Sequence, residues 1–412
     1  METGLSTGRR HHGRRARASR EGVLVLGTSQ WSGQPTARSL ARAGFNVVGA
    51  WEGGRFAGRT RYCRETHHLP PSSDTTRFVA AVAELCRRHQ IAVVVPLADE
   101  MLATLLRYPE PSAAWKVVGP DYETFLRLCD KSRLLATAAA AGVASPRSTV
   151  ITSAGPEGEL PPFPAYVKVV DGMDEGRPAG RPVRVTDQRS FEQAVRRHTA
   201  IGDAALVQEE VVGEQWRFHF VRHRGRTAHL AARTFANSPF RVGQSTVSQF
   251  TSSPAALVEV SSKLLDEVGY EGVGVIQFVE RDGTWLVHDV NLRMPSSVGG
   301  TVVAGLDMPR LAVELALGEE PAIEPVVVRR LRTVQLPGEV DALRDAITGR
   351  SDGRSVGAIL GGMAKAALLP GQRLTPFDLT DPLPTLVALA RIRPSVNRGA
   401  PRVRRVPDPA AS

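Results

Sequence analysis

Between Gly272 and Arg293 the chain reads GVGVIQFVERDGTWLVHDVNLR, two apolar runs around the pair Asp282-Gly283. Asp-Gly between such runs is a strong short-range signal for a β-hairpin. Side chains alternate along a strand, which places Val287, Asp289, Asn291 and Arg293 on one face. Leu286, His288, Val290 and Leu292 then share the other. A carboxylate, an amide and a guanidinium in one row suit a polyphosphate with a divalent cation. The oxygens are hard metal ligands and the planar fork matches phosphate. Folding the hairpin at Asp282-Gly283 brings Gln277 nearly opposite His288 and Asp289, adding a second amide oxygen. Taken alone, the same row also describes the exposed polar face of an antiparallel sheet.

Lysine usage supplies a second pointer. Of 52 basic residues only five are lysine: Lys116, Lys131, Lys168, Lys263 and Lys365. In a chain so biased toward arginine, a retained lysine marks a position that needs a compact ammonium. Lys131 follows Asp130 at the start of a helical stretch, and Lys168 ends the strand-like run Pro164-Ala165-Tyr166-Val167-Lys168. His219, His223 and His229 fall in a strand–turn–strand over Trp216–Ala232. HxxxH spacing suits a metal on a helix, but four strand residues span about 13 Å, too far for His219 and His223 to share an ion. Arg217, Arg233 and Arg241 fall with Ser245 and Ser248 in this stretch and the one that follows.

These groups need a scaffold. Gly22–Gly27, Phe45–Ala50 and Ile91–Pro96 read as buried parallel strands, separated by helical stretches at Pro35–Ala43 and Thr76–His89. That alternation predicts a doubly wound α/β domain. The loop after the first strand has Gly27 and Gly33 but neither GxGxxG nor a Walker lysine, so the domain reads as a structural Rossmann-like unit. A helical pair over 121–142 and a Pro-rich linker at 154–164 follow. From Ala165–Val170 to about residue 320 strands and helices mix in α+β fashion. The last part, 321–392, has strand-like Pro325–Leu336, a Gly-rich middle and a helix at Pro384–Arg391.

The chain of 412 residues, 42% hydrophobic and 23% charged, is long enough for two or three domains of an ordinary globular protein. Its net charge of +10 resembles a nucleic-acid signal until it is located. Residues 1–20 hold six Arg and one Glu, and residues 391–412 six Arg and one Asp, so each end carries +5 and the body between is neutral. Solvated basic tails account for this, and nucleic acid is not the expected partner. Three cysteines without CxxC spacing point away from a disulfide framework and toward the cytoplasm. The longest apolar run near the N-terminus, Val23–Leu26, is too short for a leader or a membrane span.

The hairpin resembles the metal-binding hairpin of the ATP-grasp superfamily, an acid on one strand and E-x-N-x-R on the next. Here the second strand is Asp289-Val290-Asn291-Leu292-Arg293, and the first-strand position is Gln277, as in the carbamoyl phosphate synthetase type of domain. Met294–Gly300 resembles the Ser-rich loop of that branch. Asp130-Lys131-Ser132 resembles the family's D-K motif, and Pro164–Lys168 its F-P-x-x-x-K strand. The run from Leu206 through Gln208, Glu209 and Val211 to Glu214 resembles its adenine hinge. Four short motifs in the expected order over about 170 residues are specific where each alone is weak. Two departures stand out: Asp289 is one methylene shorter than the usual glutamate, and the expected phosphate-covering loop, Asp171–Gly176, is rich in acids.

The resemblance implies a basic tail (1–20), a Rossmann-like pre-ATP-grasp domain (21–120), a two-subdomain ATP-grasp fold (121–320), a small C-terminal domain (321–392) and a second basic tail (393–412). ATP is the implied cofactor with Mg²⁺, Mn²⁺ being an alternative. Lys131 and Lys168 would meet the phosphates, and Gln208, Glu209, Val211 and Glu214 the nucleoside. Gln277, Asp289 and Asn291 would hold metal, with Arg293, Asp289 and Lys168 as the catalytic set. The implied reaction activates a small-molecule carboxylate as an acyl phosphate, releases ADP, and joins the acyl group to an amine. An ATP-grasp kinase, a carbamoyl-phosphate-type enzyme and a catalytically weak nucleotide sensor are the alternatives, and a homodimer is left open.

Overall fold

The computed structural model describes residues 20–53, 56–110, 114–170, 182–199, 204–238, 244–324, 326, 328, 330–349 and 354–390. Among them three sheets form. The first is parallel and comprises β1 (Arg20–Leu26), β2 (Phe45–Trp51), β3 (Glu65–His68), β4 (Ile91–Pro96) and β5 (Lys116–Val117) in the order β3-β2-β1-β4-β5. Helices α1 (Gly33–Arg42), α2 (Thr75–Arg88) and α3 (Asp99–Arg107) connect and cover it. The apolar run of β1 follows from burial on both faces. Val23 and Val25 enter one core with Val93 and Val95, while Leu24 and Leu26 enter another with Phe78 and Val82. This is the doubly wound domain the alternation predicts.

Next come α4 (Tyr122–Cys129) and α5 (Lys131–Ala140), broken at Asp130. Asp130 has extended backbone and its carboxylate accepts from the Ser132 and Arg133 N–H groups, capping α5. Lys131 is therefore the first residue of α5. A second sheet holds β6 (Ser148–Thr152), β7 (Gly155–Pro156), β8 (Ala165–Val170), β9 (Val183–Val185) and β10 (Ala204–Glu209), backed by α6 (Gln188–Thr199). Part of the stretch read as a linker thus pairs as β7, and Asp171–Gly176 lies outside the described residues.

The third sheet contains β11 (Glu214–His223), β12 (Arg226–Ser238), β13 (Gln244–Thr251), β14 (Gly272–Arg281), β15 (Thr284–Asn291), β16 (Leu331–Gln335) and β17 (Gln372–Thr375). Its order is β15-β14-β11-β12-β13-β16-β17. Helix α7 (Ala255–Glu267) packs with α4 and α5 on one face, around Phe218, Phe220, Ile276 and Phe278. Helices α8 (Val298–Ala304) and α9 (Met308–Leu317) lie on the other, in a core shared with β1 and β4. That common core fixes the third sheet against the first domain.

The C-terminal part adds β16 and β17 to this sheet, with α10 (Leu336–Ile347), α11 (Val356–Leu368) and α12 (Leu383–Ala390). Two helices therefore fill the stretch read as a Gly-rich middle. The loop before α12 returns to the first domain. Arg38 pairs with Asp378 at 2.9 Å, Tyr62 donates to the same carboxylate at 2.6 Å, and Gln34 and Thr60 donate to Asp381. Among the described residues no helix is long and apolar enough to cross a membrane.

Candidate active site

The hairpin forms as its turn chemistry requires: Asp282 and Gly283 have φ of 51° and 80°, between β14 and β15. Gln277 pairs with Asp289, but Phe278 pairs with Val287, so His288 is an extra residue on β15. This β-bulge corrects the expected alternation. Val287 lies in the same core as Val290 and Leu292, and does not share a face with Asp289. Strict alternation cannot anticipate a bulge, which resets the phase by one residue. Its consequence is local and useful: the His288 carbonyl meets the Lys168 ammonium at 3.5 Å. The His288 ring, by contrast, is pushed down to about 4 by burial and by Lys168.

Asp289 is the hub. Lys131 forms an ion pair with its Oδ1, and the amides of Gln277 and Asn291 both donate to its Oδ2, Asn291 at 2.7 Å. Burial alone would raise this carboxyl, but Lys131 overrides it and holds Asp289 well below the ordinary carboxylate range. The same pair raises Lys131 against the opposing effect of burial. Lys168 comes from β8 and donates to Gln208 Oε1 at 2.6 Å, while the Gln208 amide donates to Ser148 Oγ at 3.0 Å. Burial, with Lys131 adding to it, brings Lys168 down to about 8.

Arg293 closes the row. Its guanidinium donates to Asn291 Oδ1 at 3.2 Å and, through two nitrogens at 2.7 and 2.9 Å, to Asp99 Oδ2. Asp99 opens α3 just beyond β4 and has no counterpart among the sequence-read site residues. The available signal was its place: ligands of open α/β sheets gather beyond the carboxyl ends of strands. Burial raises the adjacent Glu100 carboxyl.

The hinge joins β10 to β11. Glu209 accepts from the Arg147 N–H at 3.0 Å, and the neighbouring Glu210 pairs with Arg184 at 2.7 Å. Val211 is half-buried between the two strands. Glu214 starts β11, where Arg233 forms an ion pair with it and Trp216 Nε1 donates to it at 3.2 Å. The structure thus joins Lys131, Lys168, Gln208, Gln277, Asp289, Asn291 and Arg293 in one hydrogen-bonded group. Glu209 and Val211 continue from it along the chain, and Glu214 belongs to a separate cluster.

A further row crosses the third sheet. Arg217 on β11 pairs in register with Gln277, which pairs with Asp289, so these three side chains share one face. Arg217 is buried and donates to Ser245 Oγ at 3.1 Å and Ser248 Oγ at 2.5 Å, while its Nε has no hydrogen-bond partner among the described residues. Burial pushes it down to about 10, which still leaves it charged at neutral pH. Arg241 lies outside the described residues. His219 is fully buried against Phe250 and meets Ser297 Oγ at 2.7 Å, whereas His223 lies 3.4 Å from Glu271. The two histidines have separate partners.

The donor set fits a nucleotide-bound divalent cation. One carboxylate flanked by two amides is a sparse set, of the kind that binds Mg²⁺ together with substrate phosphates rather than as an all-protein cage. No family model and no curated relative matches the sequence. Solved structures match it in fold. An L-amino acid ligase from Bacillus licheniformis aligns with TM-score 0.61 and 18% identity over 76% of this chain and 79% of its own. An N5-carboxyaminoimidazole ribonucleotide synthetase in its ADP complex gives TM-score 0.61 and 13% identity over 86% and 90%. A biotin carboxylase from Campylobacter jejuni gives 0.57 and 15% over 76% and 74%. These likenesses, with the sheet pairing around Asp289 and the order of the motifs, give this chain the ATP-grasp fold.

Proposed function

We propose that this chain is an ATP-dependent ligase that activates a carboxylate as an acyl phosphate and joins it to an amine. The observation that carries the reading is the convergence of Lys131, Lys168 and Arg293 on the Gln277–Asp289–Asn291 face. Two ammonium groups and a guanidinium against the carboxylates of Asp289 and Asp99 leave a net positive cluster, suited to a triphosphate and poorly suited to a neutral ligand. Gln208, Glu209, Val211 and Glu214 would hold the nucleoside along the hinge. Gln277, Asp289 and Asn291 would hold Mg²⁺, which when bound offsets charge on the transferring phosphoryl group.

The chain's own groups then have distinct tasks. Lys168 and Lys131 hold phosphate oxygens, and Arg293, oriented by Asp99, steadies the phosphoryl group. A substrate carboxylate oxygen attacks the γ-phosphorus and ADP leaves. The amine attacks the acyl carbon, phosphate leaves, and the amine loses a proton to give an amide. Arg217, on the same sheet face and backed by Ser245 and Ser248, is placed to anchor the substrate carboxylate. The L-amino acid ligase among the structural neighbours favours amino acids as the first carboxylates to test.

Incubation with ATP, Mg²⁺, a carboxylate panel and hydroxylamine should yield a hydroxamate with ADP and phosphate. AMP and pyrophosphate would overturn the acyl-phosphate mechanism. A phosphorylated product that persists in the presence of amines would identify a kinase, and carbamoyl phosphate formed from bicarbonate, ammonia and two ATP a carbamoyl-phosphate-type reaction.

A further inference from the structure

The β3 edge of the first sheet carries a cluster that the nucleotide chemistry does not use. Glu65 and His67 sit two apart on β3 and so project to the same side, while His89 follows the end of α2. Glu65 Oε2 lies 3.6 Å from His67 Nε2 and 4.0 Å from His89 Nε2, and the three ligand atoms all lie within 4.8 Å of one another. The imidazole centroids are 5.0 Å apart. Both Nε2 atoms are buried and neither has a hydrogen-bond partner among the described residues. Two buried, unsatisfied ring nitrogens are costly unless something binds them.

We propose that Glu65, His67 and His89 bind one divalent first-row transition metal ion, Zn²⁺ by the chemistry of the donor set. Two neutral imidazoles and one carboxylate form a three-ligand set that zinc accepts with a fourth position open. Bonds of about 2.0–2.1 Å in a tetrahedron put ligand atoms about 3.3 Å apart. The two Glu65 separations therefore close by under an ångström, and the two imidazole nitrogens, within 4.8 Å of each other, by up to about 1.5 Å. Imidazole discriminates against Mg²⁺, so this site and the Asp289 site select different ions. Burial, with His89 and Arg88 adding to it, lowers the His67 pKa and keeps that ring in its metal-binding neutral form, although Glu65 opposes the shift. Arg64 and Arg88 are the nearby cations that a bound ion must tolerate.

Beside the cluster is an open cavity of about 430 Å³ lined by Glu21, Asn46, Arg64, Glu65, His89 and Gln90. It gives the ion an entry path and its fourth position a route to water. Glu21 and Asn46 lie near the amino ends of β1 and β2 and His89 and Gln90 precede β4, whereas β3 pairs with Val48–Trp51 in the carboxyl half of β2. Two strands, β2 and β1, stand between β3 and β4, three strand spacings or roughly 14 Å, and Asp99 lies beyond β4. A bound ion would staple the four-residue edge strand β3 to the end of α2.

The test uses the full chain with His11→Gln and His12→Gln in every protein compared, which removes the adjacent histidine pair of the N-terminal tail. Metal-stripped protein is titrated with Zn²⁺ against a chromophoric chelator, and with Co²⁺ for its visible absorption. One equivalent per chain is expected, weakened at least about tenfold by His67→Gln, by His89→Gln and by Glu65→Gln. Zn²⁺ should raise the Tm of the parent and leave the Tm of the variants unmoved. Should a histidine variant fail to fold, Glu65→Gln decides the matter, because that side chain is 54% exposed and its loss spares the core. Equal Zn²⁺ uptake by the parent and a folded variant, or no uptake by the parent at micromolar Zn²⁺, would overturn the proposal.

Discussion

The Lys131 ammonium and the Asp289 carboxylate form an ion pair between the first residue of α5 and strand β15. Each is about three-quarters buried, with 25% and 22% of the side chain exposed. Each therefore serves as the other's counterion. Phosphate would take over the lysine and a cation the carboxylate, so nucleotide and metal are expected to bind in concert.

That coupling makes Asp289→Asn informative. The amide keeps the shape but loses the charge that holds Mg²⁺, while Lys131 is freed for phosphate. ADP formation should fall at least about 100-fold, with nucleotide binding retained in calorimetry. Gln277→Glu should be milder and should tighten Mg²⁺ binding. Full activity in Asp289→Asn would place the metal elsewhere.

Lys168 sets a pH dependence. Burial lowers its pKa from 10.5 to about 8, so the ammonium that phosphate needs is lost as pH rises through 8. Nucleotide phosphates favour the charged form, so binding at pH 8–9 should take up a proton and weaken with rising pH. Calorimetry in two buffers of different ionisation heat reads this directly, and Lys168→Arg should abolish the proton uptake. Folding has the opposite sign. Between about 8 and 10.5 the unfolded chain holds more protons at this residue, so this group's contribution to stability rises with pH. Lys168→Ala should weaken Mg-ATP binding markedly in a folded protein.

The Asp99–Arg293 pair ties the first domain to the end of the β14–β15 hairpin. Asp99→Asn leaves Arg293 with a weaker partner at 21% side-chain exposure, and should cost roughly 1–3 kcal/mol of stability. A double-mutant cycle with Arg293→Gln should return a coupling energy of about 1 kcal/mol or more. Additive effects would mean that the pair does not position Arg293.

The basic ends carry the net charge and none of the site residues, so a chain of residues 21–392 should keep full turnover. A loss above about tenfold, worth roughly 1.4 kcal/mol of transition-state stabilisation, would show that the arms bind substrate.

The sequence by itself determined the parts whose signals are local. Asp282-Gly283 set the hairpin, the run Val23–Leu26 set a doubly buried strand, and Asp130 capped the helix that begins with Lys131. Tertiary structure decided what depends on phase and on contacts between distant segments. The bulge at His288 moved Val287 off the Asp289 face and aimed a carbonyl at Lys168, a one-residue irregularity that a period-two pattern cannot encode. Asp99 reaches Arg293 across 194 residues, and Arg217 aligns with Gln277 only because β11 and β14 are neighbours in the sheet. Glu65, His67 and His89 form no motif in the sequence, and β3 and the end of α2 bring their ligand atoms together. Backbone propensity and turn chemistry act over a few residues, whereas side-chain convergence is a property of packing.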